Sequence, residues 1–181
     1  MITIRKQEIV KLKDVFHLYQ AVGWTNYTHQ PEMLEQALSH SLSVYMALDG
    51  DDVVGLIRLV GDGFSSVLVQ DLIVLPIYQR QGIGSALMKE ALEDYKDAYQ
   101  VQLVTEQTER TLKFYRSMGF EILSTYNCIG MTWINPNFKL KLATQKKFTW
   151  RLVVQAFFRV VVNPIFDKSY FFRSRFLGSF R

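Results

Sequence analysis

Two glycines lie where a predicted strand gives way to a predicted helix, in the segment QRQGIGSALM at residues 79–88. Backbone N–H groups at a helix start are unpaired, and the helix dipole adds partial positive charge there, so this junction suits an anion such as a phosphate. Glycine lets the anion approach the backbone closely, and Arg80 adds a positive charge nearby. The alternative is a glycine-containing loop without a ligand, because short glycine motifs are weak signals.

The segment QRQGIG at residues 79–84 resembles the (Gln/Arg)-x-x-Gly-x-(Gly/Ala) motif of the GNAT superfamily of N-acetyltransferases. A second segment, FYRSMGF at residues 114–120, resembles the Phe-Tyr-x-x-x-Gly-Phe of the same family, where a helix ends and a strand begins. The two motifs follow in the family's order. The resemblance identifies a GNAT domain at residues 1–135, followed by a basic, aromatic-rich extension at residues 136–181.

The resemblance implies an α/β (α+β) fold with a mixed, mostly antiparallel sheet of about six to seven strands and about four helices. The hydrophobic periodicities of the chain agree with it. Helices are predicted at 12–19, 31–38, 87–96 and 108–118. Strands are predicted at 2–5, 44–48, 53–60, 67–74 and 101–105, with a closing hairpin at 120–123 and 126–134.

The resemblance also implies acetyl-CoA as co-substrate and no metal, with the pyrophosphate bound by backbone amides of the glycine loop. Family members often carry asparagine and alanine where this chain has Thr108 and Thr111, so only a hydroxyl contact carries over at those positions. The coenzyme-binding residues implied are Leu72, Ile73, Val74, Gln79, Arg80, Gln81, Gly82, Ile83, Gly84, Ser85, Thr108 and Thr111.

A carboxylate interrupts the apolar run of the central strand at Asp71. Burying an unpaired charge is costly, so Asp71 must be paired, hydrogen-bonded or exposed in a cleft. A functional interpretation is a general base, because an alkylammonium has a pKa of about 10 and must lose a proton before it attacks a thioester. The alternative is a structural carboxylate that ties the strand to its surroundings.

The segments QDLIVLP at residues 70–76 and GMTW at 130–133 resemble the plant-type serotonin N-acetyltransferase branch and many bacterial relatives. By resemblance, Tyr115 protonates the departing coenzyme A thiolate or hydrogen-bonds its sulfur, and a phenol can donate such a proton. The alternative for Tyr115 is an aromatic side chain on a core helix face. A backbone N–H near Leu72 or Ile73 would polarise the thioester carbonyl.

The acceptor is expected to be a small primary amine, such as an arylalkylamine or a polyamine, in contact with Trp24, Tyr27 and Phe64. The alternative interpretation of Trp24 and Tyr27 is that they cover the core. A protein N-terminus or lysine is an alternative acceptor. From another class of function, the chain would be a non-catalytic acyl-CoA-binding module tethered by its tail to a membrane or partner.

Charge divides the chain unevenly. Residues 1–137 carry 11 Lys/Arg and 16 Asp/Glu, a net charge of −5, whereas residues 138–181 carry 10 Lys/Arg and one acid, a net charge of +9. An acidic main domain disfavours nucleic-acid binding. Residues 146–162 can form a basic, aromatic helix that lies on an anionic membrane, packs on the core or a second copy in a homodimer, or is an appendage without function. The single cysteine fits a reducing compartment, and a cytoplasmic location is expected.

Overall fold

The computed structural model describes residues 1–132 of the chain. The chain divides into two compact units, Met1–Val104 and Thr105–Arg181. Trp133 and all later residues, including the predicted tail helix at 146–162, lie outside the described residues. Within the described part, no helix has the length and apolar character needed to cross a bilayer.

The first unit is built on one five-stranded sheet whose strands follow chain order. Neighbouring strands are antiparallel except for the last pair, which is parallel. This mixed sheet with helices confirms the predicted α/β class. The strands are β1 (Ile2–Gln7), β2 (Ser43–Asp49), β3 (Asp52–Gly61), β4 (Val67–Val74) and β5 (Val101–Leu103). The helices are α1 (Leu12–Ala21), α2 (Thr25–Thr28), α3 (Pro31–Ser39) and α4 (Ile83–Asp94).

Apolar side chains of α1 and α3 pack on one face of the sheet. They contact alternate strand residues there, because successive residues of a strand point to opposite faces. This core consists of Val15, Leu18, Tyr19, Leu34, Leu38, Val44, Met46, Leu56 and Ile73. On the opposite face, α4 lies close to β3 at Gly55, where a Cβ atom would stand 3.3 Å from Leu87 Cδ1. The absent side chain at Gly55 therefore allows α4 to pack tightly against the sheet.

An irregularity in the ladder between β3 and β4 sets the position of the functional residues. Arg58 pairs with Asp71 but the next residue, Leu59, pairs with Val69, so Gln70 is the extra residue of a β-bulge. On the other side, pairing with β5 ends at Val69 and Leu103, whereas β4 runs on to Val74. Residues 70–74 therefore form an edge of β4 without a strand partner among the described residues.

The second unit contains one helix, α5 (Glu109–Ser117), in its described part. As predicted, Thr108 caps this helix by accepting the Thr111 N–H, and Gly119 follows it with φ at 89°. The predicted closing hairpin is wrong as far as residue 132, since Leu123–Tyr126 form a short 3₁₀ turn. Its N–H groups bond to carbonyls a few residues away rather than to a neighbouring strand, so the described sheet has five strands.

Candidate active site

Asp71 is buried and its carboxylate accepts three hydrogen bonds. Arg58 Nε lies 2.5 Å from Oδ2, the Tyr19 hydroxyl donates to Oδ2 at 2.9 Å, and the Tyr27 hydroxyl donates to Oδ1 at 3.1 Å. The side chains of Arg58 and Asp71 are only 4% and 1% exposed. A buried carboxylate is thus paired and hydrogen-bonded, as the cost of burying a lone charge requires. We call Tyr19, Tyr27, Arg58 and Asp71 the Asp71 cluster.

Arg58 and Tyr19 are the members of this cluster that sequence reasoning missed. Arg58 is the one charged residue inside the apolar run of β3, from Val53 to Val60, and it carries the same signal that singles out Asp71. Tyr19 reads as an ordinary apolar-face residue of α1, and only its contact distinguishes it. Burial, followed by the Asp71 carboxylate, raises the pKa of the Tyr19 phenol, so this hydroxyl stays protonated and donates.

The predicted acceptor residues Trp24 and Tyr27 lie beside the Asp71 cluster. Their rings pack against each other with centroids 6.0 Å apart, and Tyr27 contacts Tyr19 edge-to-face at 5.2 Å. Both are half-buried, and both also pack on the hydrophobic core. Phe64 lies elsewhere, 82% exposed in the loop before β4, where Asp62 accepts hydrogen bonds from the loop's N–H groups.

At residues 70–74, the edge of β4 that has no strand partner within residues 1–132 presents backbone groups of alternate residues. The Leu75 N–H donates to the Val54 carbonyl at 2.9 Å, on the β3 side. Because successive residues of a strand direct their backbone groups to opposite sides, Ile73 and Asp71 face β3 as well, and Leu72 and Val74 face the unpaired edge. The Gln79 side chain donates to the Val74 carbonyl at 3.0 Å, so the N–H groups of Leu72 and Val74 are the backbone donors that face this edge.

The glycine loop leads from β4 into α4. Gly82 is the N-cap of the helix with φ at 83°, and in the described part of the chain no side chain caps the first N–H groups, those of Ile83, Gly84 and Ser85. Arg80 also has a positive φ, 63°, which is uncommon outside glycine and costs on the order of 1 kcal/mol. Gln81 donates its amide to the Ile77 carbonyl and fixes the loop. The loop therefore presents an uncapped helix N-terminus beside an arginine.

In the second unit, the predicted coenzyme contacts Thr108 and Thr111 bond to each other. Their hydroxyl oxygens lie 2.9 Å apart, and the Thr111 hydroxyl donates to the Glu106 carbonyl at 2.5 Å. Both hydroxyls thus serve the helix cap, and their contact with coenzyme A stays a prediction.

Tyr115 lies on α5 between two aromatic rings. Its ring packs edge-to-face with Phe114 at 5.0 Å and with Phe120 at 6.0 Å. Burial raises the pKa of its phenol, and a hydrogen bond with the Thr105 side chain acts in the opposite direction. The raised pKa keeps the phenol protonated, as a proton donor requires.

Comparison with known proteins agrees with the geometry. The sequence profile of the family described as Acetyltransferase (GNAT) domain matches residues 40–122. A solved structure of a GNAT family acetyltransferase from Streptococcus pneumoniae is 79% identical, with a TM-score of 0.70, and the match covers 75% of this chain and 99% of that protein.

Curated relatives are more distant. An uncharacterized N-acetyltransferase ycf52-like protein of Prochlorococcus marinus is 26% identical over 66% of both chains. Serotonin N-acetyltransferase 2, chloroplastic, of Oryza sativa is 30% identical over 50% of this chain and 48% of that protein. The alignments thus span between about half and two thirds of these relatives. Because a family profile and a relative that is 79% identical over nearly its whole length agree, the chain belongs to the GNAT family of acetyl-CoA-dependent acetyltransferases.

Proposed function

We propose that this enzyme transfers the acetyl group of acetyl-CoA directly to a small primary amine. One observation carries the proposal: the unpaired edge of β4, residues 70–74, runs into the uncapped N-terminus of α4. An extended chain with amide groups can pair with a strand edge, and a pyrophosphate can bind free N–H groups at a helix start. Coenzyme A has these two parts in this order, with the pantetheine arm next to the pyrophosphate.

The Leu72 N–H is the proposed donor to the thioester carbonyl. It faces the unpaired edge, and the Ile73 N–H faces β3. Negative charge develops on the carbonyl oxygen when the amine attacks, and a fixed backbone donor stabilises that charge without reorganisation. Removal of one such donor typically lowers turnover by about 10²–10³-fold, and we expect a contribution of this size from the Leu72 N–H.

The acceptor is assigned as a small amine, with an arylalkylamine favoured. Trp24 and Tyr27 provide aromatic surface beside Asp71, one residue before Leu72 on β4. Residues 1–137 have a net charge of −5, which attracts a cationic amine over distances of about 10 Å. This electrostatic effect is modest and would serve a peptide amine equally, so the aromatic surface is the feature that favours an arylalkylamine.

The experiment is a calorimetric titration with acetyl-CoA, followed by an amine panel in which turnover is measured by release of free thiol. We expect micromolar binding and turnover on phenethylamine or a polyamine. Binding with turnover only on peptides that carry a free N-terminus or lysine would replace the small amine with a protein acceptor. Binding without turnover on any amine would favour the non-catalytic acyl-CoA-binding module, and no binding would overturn the proposal.

Ser85→Asp is expected to weaken acetyl-CoA binding while it stabilises the fold. A carboxylate in the first turn of α4 interacts favourably with the helix dipole, by about 0.3–1 kcal/mol, but repels a pyrophosphate at the same place. We expect the Kd to rise about tenfold or more, a change of about 1.4 kcal/mol. In the uncharged variant Ser85→Asn, the new side chain has nearly the same shape as aspartate, and the Kd should stay within about twofold of the wild-type value. Equal Kd values for both variants in calorimetry would mean that the pyrophosphate binds elsewhere.

A further inference from the structure

The Asp71 carboxylate does not present a free oxygen to the surface. Its side chain is 1% exposed, and its two oxygens accept from Arg58, Tyr19 and Tyr27. Arg58 and Tyr19 are themselves buried, at 3% and 0% exposure. Tyr27 is the one half-buried member of the Asp71 cluster, so it is the member that an acceptor can reach.

Hydrogen bonds hold the Tyr27 hydroxyl so that its oxygen can accept a hydrogen bond from the solvent side. Its proton is committed to Asp71 Oδ1, and its oxygen accepts from the exposed Gln70 amide at 3.3 Å and from Arg58 Nη2 at 3.5 Å. The Gln70 amide is exposed, so the N–H of an acceptor can take its place on the Tyr27 oxygen. Burial, followed by the Asp71 carboxylate, raises the pKa of the Tyr27 phenol, so the oxygen is not a phenolate. The charged and titratable groups that face Tyr27 are Asp71, Arg58 and Tyr19.

We propose that Tyr27 contacts the acceptor nitrogen and passes the proton of that nitrogen to Asp71. This inference rests on the proposed function. The acceptor reacts as the neutral amine, after its ammonium proton has gone to water. The nitrogen uses the freed electron pair to form the bond to the acetyl carbon while the carbonyl π electrons move to oxygen. One N–H proton then moves to the Tyr27 oxygen as the Tyr27 proton moves to Asp71 Oδ1. The carbon–sulfur bond then breaks, and the thiolate leaves with that electron pair. After product release, the proton on Asp71 returns to water by the same path.

The timing of the proton transfer follows from magnitudes. An alkylammonium has a pKa of about 10 and holds its proton firmly, and only the neutral amine has the electron pair that attack requires. The nitrogen becomes far more acidic once the bond to the acetyl carbon forms. The relay therefore acts on the tetrahedral intermediate, and its benefit is greatest for strongly basic amines, whose intermediates hold their proton most firmly.

Two acceptors of nearly the same shape test this relay in the full-length enzyme. Phenethylamine is strongly basic, whereas O-benzylhydroxylamine, with oxygen in place of one CH₂, is weakly basic and gives an intermediate that loses its proton to water readily. Tyr27→Phe should lower kcat/KM for phenethylamine by about 30-fold, less than complete loss of a general base because water can substitute, and for O-benzylhydroxylamine by less than about threefold. Release of free thiol measures kcat/KM for both acceptors.

Tyr19→Phe is the matched control, because it also removes one phenol hydrogen bond to Asp71 but at a position that no acceptor reaches. Tyr19→Phe should change kcat/KM by the same factor for both acceptors and lower the unfolding temperature as much as Tyr27→Phe does. If Tyr27→Phe also lowers kcat/KM by the same factor for both acceptors, Tyr27 has only a structural role and the inference is overturned. Absence of wild-type turnover with both acceptors would instead exclude the arylalkylamine acceptor of the proposed function, and this inference with it.

Discussion

Arg58→Met is expected to lower the free energy of unfolding by about 3–5 kcal/mol, because it leaves the buried Asp71 charge without its cation. Arg58 Nε lies 2.5 Å from Asp71 Oδ2, and both side chains are nearly fully buried. The two phenol hydrogen bonds that remain cannot replace a positive charge. Such a loss is a large share of the 5–15 kcal/mol that typically stabilises a domain. Urea unfolding measures it as a lower midpoint with an unchanged slope.

The double variant Arg58→Met/Asp71→Asn separates the unpaired charge from lost packing. An asparagine carbonyl can still accept from Tyr19 and Tyr27, and no buried charge remains. We expect the double variant to recover at least about 2 kcal/mol relative to Arg58→Met. If it is less stable than Arg58→Met, the loss comes from packing, and Asp71 is not the reason that Arg58 is required.

The exposed ion pair between Lys6 and Asp94 provides the control for burial. Its atoms are 2.7 Å apart, close to the separation in the buried pair, but its side chains are 51% and 40% exposed. Water screens such a pair, so Lys6→Met should cost no more than about 1 kcal/mol. An equal loss for Lys6→Met and Arg58→Met would show that burial does not set the cost.

Most of the sheet follows from local sequence patterns, whereas its closing part does not. Apolar runs bounded by turn residues predict β2 and β3 to within one residue of their observed bounds, and β4 at its observed bounds. The strands predicted after residue 119 depended on the family resemblance, in which a strand follows the helix that ends at Gly119. Ser124, Thr125 and Asn127 there favour local turn bonds, and Asn127 adopts φ of 56°.

The site shows the same division between local and long-range information. That Asp71 needs a partner follows from one residue in its strand, because charge burial is costly wherever it occurs. That the partner is Arg58 depends on the register of two strands and on the bulge at Gln70, which sequence periodicity does not fix. The contribution of Tyr19 depends in addition on how α1 packs on the sheet, which is tertiary information.

Tyr115→Phe is expected to lower kcat by about 10²–10³-fold and to leave the acetyl-CoA Kd within about twofold of wild type. The phenol would supply the proton that the departing thiolate takes up, and phenylalanine cannot. The edge-to-face contacts with Phe114 and Phe120 involve only the ring, so the variant keeps the packing around α5. Single-turnover thiol release and calorimetry measure kcat and Kd separately.

The pH profile of the wild-type enzyme gives an independent test of Tyr115. Burial raises the pKa of this phenol above its ordinary value of about 10, so the protonated donor persists to higher pH than a free phenol would. We therefore expect no fall in kcat from this group between pH 8 and about 10. The exposed Tyr126 serves as a control, since Tyr126→Phe removes a hydroxyl from the same unit and should leave kcat unchanged within about twofold. Unchanged turnover in Tyr115→Phe would mean that Tyr115 contributes only to packing and that the thiolate takes its proton from water.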